Sequence, residues 1–167
     1  MAVGALSTLA ARPAGGRIGG QEARVGTRRP ELAAWLSAVS LADLGRPAGP
    51  RPDWERDATD AARAWLRLVD AGRHPASWAS AACLLREAVG PLDWDAALRQ
   101  VRDPLGRCYW RRLQSRAAVE GPAGEWRGPY VVIRFESAFE RQTRVVETIT
   151  PMLDPDGRWR VAAYFIR

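Results

Sequence analysis

The sequence predicts an α+β domain in which three helices pack on a four-stranded antiparallel meander. Three observations predict it. Apolar residues recur at helical spacing from Asp53 to Leu105, and after Gly106 the period falls to two. All helical segments precede all strands, an order that places the helices on one face of an antiparallel sheet. With 167 residues, 47% of them hydrophobic, and eight tryptophans, the chain has enough apolar material for one core, which excludes wholesale disorder. No apolar run reaches the roughly 20 residues that cross a bilayer as a helix, so no transmembrane span is expected.

Residues 1–52 hold eight Gly and five Pro with little periodicity, and are read as a flexible or leader segment ahead of a domain at 53–167. Within it, Arg28-Arg29-Pro30, the apolar run Leu32 to Leu41 and the small residues Ser40 and Ala42 before Asp43 have the order of a secretory signal peptide, displaced from the start of the chain. The competing reading is an amphipathic helix over Leu32 to Leu44. A real leader at about 25–42 would make the protein periplasmic or secreted; otherwise it is cytoplasmic.

The first helix carries Trp54, Ala58, Ala61, Ala62, Trp65, Leu66 and Val69, with Asp53, Glu55 and Asp57 suiting its positive end. It is expected to stop near Ala71, because Gly72 can turn left-handed and Pro75 follows. A second helix carries Trp78, Ala81, Ala82, Leu85 and Val89. Gly90-Pro91 divides it from a third with Leu92, Trp94, Ala97, Leu98, Val101 and Leu105, which Pro104 and Gly106 close. Strands are expected around Cys108 to Val119, Tyr130 to Glu136, Thr143 to Leu153 and Arg158 to Ile166, from their β-branched and aromatic content. Asp154-Pro155-Asp156-Gly157 predicts a tight turn between the last two. In the last strand Trp159, Val161, Ala163 and Phe165 should form the apolar face, opposite Arg158, Arg160, Ala162 and Tyr164.

The net charge of +6 arises from arginine alone, and asparagine is absent, a pattern of GC-rich coding more than of a basic surface. Residues 53–167 hold eighteen Arg against sixteen acids. Only Arg107, Arg111, Arg112 and Arg116 cluster, and without a readout element a nucleic-acid partner is not expected.

The stretch Ala62 to Asp70 (ARAWLRLVD), Ser77-Trp78, Leu84 to Val89, Trp94, Val101 to Gly106 (VRDPLG), Tyr130 to Phe135 (YVVIRF), Val146 to Leu153 (VETITPML) and Asp156 to Val161 (DGRWRV), with Tyr164 and Ile166, resemble the bacterial family called domain of unknown function 4019 (DUF4019). The likeness covers about residues 55–167. It implies no established activity, and it implies a signal peptide, since members usually carry one. The helix-then-meander layout is similar to the cone-shaped NTF2-like and cystatin-like folds, which bears on shape and not on function. Departures from the family pattern sit at caps and turns: Gly90-Pro91, Ala163, and Trp126-Arg127 before Tyr130.

Catalytic and metal-binding constellations are thin. The single histidine, His74, lies between Arg73 and Pro75 and is read as a solvated residue of a turn. Cys83 and Cys108 lack metal-ligand spacing and are read as structural thiols, although they could pair in an exported chain. No catalytic residue, metal or cofactor is assigned. The candidate polar cluster is Glu147 with Arg102, Arg134 and Tyr164. Glu147 shares a strand face with Val145 and Ile149, so it points inward if they do, and a buried carboxylate needs a cationic partner. Trp65, Trp78, Trp94 and Trp159 fall on apolar stripes and are read as core. The expected function is a non-catalytic accessory module of the cell envelope with a small-molecule or protein partner. The alternative is a small enzyme using Glu147 as general base in a cone-shaped pocket.

Overall fold

The computed structural model describes residues 51–120 and 128–167, so the leader reading and the Trp126-Arg127 departure lie outside the described residues. Helix α1 spans Pro52–Asp70, with Pro52 at its first turn and Asp53 and Glu55 at its positive end. Its buried residues Ala58, Ala62, Trp65, Leu66 and Val69 form the expected stripe. Gly72, at φ +67°, ends it as expected: its N–H donates to the Val69 carbonyl and that of Arg73 to the Leu68 carbonyl.

The second expected helix is two. Helix α2 spans His74–Ala79 and α3 spans Cys83–Ala88. Between them Ala82 is extended, and its N–H donates to the Val161 carbonyl of the last strand at 2.9 Å. A tertiary hydrogen bond replaces the helical one there, while the Ser80 hydroxyl, bonded back to the Ala76 and Ser77 carbonyls, closes α2. Helix α4, Pro91–Arg102, follows an extended Gly90. Its buried residues are Trp94, Leu98 and Arg102, four apart, whereas Leu92, expected on the stripe, is 84% exposed. Among the described residues no helix is long and apolar enough to cross a membrane.

Strands β1 (Cys108–Val119), β2 (Tyr130–Phe139), β3 (Val145–Leu153) and β4 (Trp159–Ile166) form an antiparallel sheet in the order β1-β2-β3-β4, the expected meander. Strand β2 runs past Glu136 to Phe139, and β3 starts at Val145, two residues later than expected. The predicted turn forms: the Gly157 N–H donates to the Asp154 carbonyl at 2.9 Å, and Gly157 sits at φ +78°.

Helices and sheet enclose one main core that includes Trp65, Leu66, Trp94, Leu98, Val131, Ile133, Phe135, Ile149 and Val161, with Trp54, Trp78 and Trp159 packed on it. Of the four tryptophans read as core, Trp65 and Trp94 belong to it, and Trp78 and Trp159 are partly buried against it. Two of them share one anchor: Trp65 Nε1 donates to the Ser77 carbonyl and Trp94 Nε1 to the Ser77 hydroxyl, which satisfies both indoles out of water.

The sheet is not evenly alternating. Leu113 faces Phe135 but Ser115 faces Arg134, so Gln114 is an extra residue in β1. Val161 faces Pro151 but Ala163 faces Thr150, so Ala162 is an extra residue in β4. Each bulge changes which parity points at the helices. In β1 the inward set passes from Arg116 and Ala118 to Arg111 and Leu113; in β4 it passes from Trp159 and Val161 to Tyr164. The expected placement of Tyr164 opposite Val161 is therefore corrected: Ala162 intervenes, and Tyr164 joins the core beside Trp65.

Candidate functional site

Helix α1 ends on Asp70 and α4 ends on Arg102. Each continues its helix's buried i, i+4 row, Ala62-Leu66-Asp70 in one and Trp94-Leu98-Arg102 in the other, so each polar head is carried over the same end of the sheet. Beneath them Glu147 comes from β3, opposite Phe135 and Ile166, and is fully buried. The bulges in β1 and β4 supply Arg111 and Tyr164.

The resulting network is closely connected. Glu147 Oε1 accepts hydrogen bonds from Tyr164 Oη at 2.6 Å, Arg111 Nη2 at 3.1 Å and Arg102 Nη1 at 3.2 Å. Glu147 Oε2 accepts from Arg111 Nε and Ser137 Oγ, both at 2.5 Å. Asp70 closes the other side, accepting from Arg102 Nη2 at 2.5 Å and from Arg111 Nη1 and Nη2 at 2.9 and 3.1 Å. Two guanidinium groups face two carboxylates, so the group is electrically neutral and its charges are mutually solvated. Arg102 also lies over the Phe139 ring, 4.5 Å from its centre.

These contacts set the protonation states. Burial alone would lower the Arg111 pKa, but the hydrogen bonds it donates to Asp70 and Glu147 outweigh it and hold the guanidinium charged. Burial opposes the charge of Arg102 as well, and Tyr164, Asp70 and Glu147 outweigh it. The Tyr164 hydroxyl is pushed well above its ordinary range, first by burial and then by the Glu147 charge, so it remains a donor.

Of the four residues expected in this cluster, Glu147, Arg102 and Tyr164 are brought together. Arg134 is not. It pairs with Thr148 between the inward-facing Ile133 and Phe135, so it projects from the other face of the sheet, and Arg111 takes the place expected for it. The arginine cluster read from the sequence disperses: Arg111 enters the network, Arg112 pairs with Glu136, and Arg116 reaches Glu55 on α1. Asp70, Arg111 and Ser137 escaped the sequence reading. A polar residue continuing an apolar i, i+4 row was the available signal for Asp70, as it is for Arg102.

An open cleft of about 360 Å³ lies over the network, lined by Asp70, His74, Arg99, Arg102, Asp103 and Gly106 among others. His74 is corrected from solvated to buried. It opens α2, its side chain is only 5% exposed, and its Nδ1 lies 2.8 Å from Asp95 Oδ1. Arg99 Nε holds the other Asp95 oxygen at 2.9 Å; this bond first, and the one to His74 second, keep the Asp95 carboxyl below its usual range.

Both cysteines are free thiols. Cys83 donates to Asp154 Oδ1 at 3.4 Å, and burial and that carboxylate raise its pKa. Among the described residues no cluster of three or more His, Cys, Asp or Glu could hold a metal ion.

Comparison with curated proteins and with solved structures gave no match. A family model does match, over residues 61–164, more than half of the chain. That span holds Asp70, His74, Asp95, Arg102, Arg111, Ser137 and Glu147, and it ends on Tyr164, so network and cleft fall within the matched region. The chain thus belongs to the family described as Protein of unknown function (DUF4019).

Proposed function

We propose that the chain is a non-catalytic accessory module of the cell envelope that binds a small molecule or a protein through the cleft, in a cone-shaped fold of the NTF2-like and cystatin-like kind. The observation that supports this reading is the sealing of Glu147. Its oxygens take five hydrogen bonds from four side chains, and the residue has no exposed surface. A general base needs an open lone pair within reach of a substrate proton. The alternative, an enzyme using Glu147 in that role, would first have to dismantle the contacts that hold the helices on the sheet. The network is better suited to bracing the cleft floor, with Asp70 and Arg102 belonging to both.

Native mass spectrometry of the full chain from its own host tests the binding role. A co-purifying small molecule or protein that stays unchanged on incubation is expected. A bound species that the wild type converts and Glu147→Gln does not would overturn the reading. The envelope location is supported by the leader-like order of Arg28 to Ala42. N-terminal sequencing of the native protein should begin at Asp43, and a chain starting at Met1 would remove that support.

A further inference from the structure

We infer that the cleft is a binding site for a small oxyanion that carries a hydroxyl proton, with His74 accepting the hydrogen bond from that hydroxyl and Arg99 meeting the negative oxygens. The inference rests on the binding role proposed above and deepens it by naming the ligand chemistry.

The geometry fixes the tautomer of the only histidine in the chain. An ionised carboxylate only accepts hydrogen bonds, and Asp95 is held ionised by Arg99, so the short contact from His74 Nδ1 to Asp95 must be an N–H donating. In the neutral form of the ring, a proton on Nδ1 leaves the lone pair on Nε2. That atom has no partner among the described residues. Nor is it sealed, since the fully covered side-chain polar atom without a partner among the described residues is Thr150 Oγ1, and His74 is one of the residues that line the cleft. The rest of the molecule covers 95% of the side chain.

Arg99 lines the same cleft and uses only Nε on Asp95, leaving its terminal nitrogens without partners among the described residues. In the second arginine, Arg102, both terminal nitrogens are already taken, Nη1 by Glu147 and Tyr164 and Nη2 by Asp70. An open acceptor beside an open cationic fork is satisfied by a ligand with both an O–H and a negative oxygen. A bare oxyanion would set its lone pairs against that of Nε2 and against Asp103 on the rim. Hydrogen phosphate and small 2-hydroxy carboxylates share the required chemistry. Sulfate and acetate lack the proton at neutral pH. A site built to bond a hydroxyl rejects analogues without it by orders of magnitude at best, and an open cleft should retain about tenfold.

A single histidine makes its imidazole nitrogen resonances unambiguous in the full-length, isotope-labelled protein. The ligand-free spectrum should place the proton on Nδ1. Inorganic phosphate and glycolate should shift the Nε2 resonance saturably at millimolar concentration, and sulfate and acetate at matched ionic strength at least about tenfold more weakly; whichever of the first two saturates earlier identifies the ligand source. Asp95→Asn, which can offer an amide N–H to Nδ1 and reverse the tautomer, should erase the preference. Arg99→Ala, on an exposed side chain, should weaken phosphate and glycolate alike in a folded protein. A ring protonated on Nε2, no saturable shift with either hydroxylated ion, or an equal response to all four, meaning an adventitious ion only, would overturn the inference. Such a failure leaves the wider binding role standing if a species of other chemistry still co-purifies, whereas an empty native spectrum counts against that role itself.

Discussion

Glu147 is a fully buried carboxylate, and burying one without partners costs several kcal/mol. Here the cost is offset by charge-assisted bonds, the shortest a 2.6 Å bond from the Tyr164 hydroxyl and 2.5 Å bonds from Arg111 and Ser137. Tyr164→Phe removes one donor while keeping the ring against Trp65, and should cost about 2 kcal/mol, the range for a hydrogen bond to a charged group. The same residue sets an alkaline limit. Burial and the Glu147 charge hold the phenolic proton in the folded state to a higher pH than in the unfolded chain, where it is lost near 10.0. Stability from this group is therefore complete below about that pH and is lost as the pH rises above it. Urea denaturation across that range should show the wild type losing stability more steeply than Tyr164→Phe; equal slopes would mean that the hydroxyl is not bonded to the carboxylate.

At the scale of the element, what could be read from the sequence divides at the bulges. The inward aim of Glu147 follows from even alternation with Val145 and Ile149, and that part of β3 pairs regularly with β2. The helix stops at Gly72 and Gly106 and the turn at Gly157 were legible because a positive φ demands glycine. Arg111 was not legible. An even count back from Ala118 and Arg116 would turn Arg112 inward, but Gln114 has no partner in β2, so the count must skip it and then lands on Arg111. Tyr164 was placed on the wrong face for the same reason, Ala162 being the extra residue. Bulges carry little composition signal, and their position depends on the partner strand. One consequence is testable. Deleting Gln114 would give β1 an unbroken alternation in which Arg116, Leu113 and Arg111 still face inward opposite the same β2 residues. Gln114 is exposed on an edge strand, so the deletion should change stability by no more than about 1 kcal/mol. Arg111→Met should then cost the same in the deleted and the native background. A much smaller cost in the deleted chain would show that the bulge is needed to aim the guanidinium.

Across the molecule the network takes one residue from each of six elements: Asp70 from α1, Arg102 from α4, Arg111 from β1, Ser137 from β2, Glu147 from β3 and Tyr164 from β4. The sequence could show that such a group was needed, since an inward carboxylate demands cations, but not which elements would supply them, because that depends on where two helices end over the sheet. The apolar core, centred on Leu66, Ile133, Phe135 and Ile149, lies beside the network and does not depend on its charges. Loss of Glu147 should therefore loosen one end of the fold without dissolving the other. Glu147→Gln leaves two buried guanidinium groups with Asp70 as their remaining carboxylate, and breaking a buried pair in this way costs about 3–5 kcal/mol. In hydrogen exchange the last turn of α4 and the first half of β1 should lose protection together, by similar factors, because both are held through the same carboxylate. The amides of Val131 to Ile133 should keep most of theirs, since a core of buried side chains opens only with the whole domain. If β1 loosens while α4 stays protected, Asp70 alone is enough to hold Arg102, and the six elements are joined as two separate clasps instead of one.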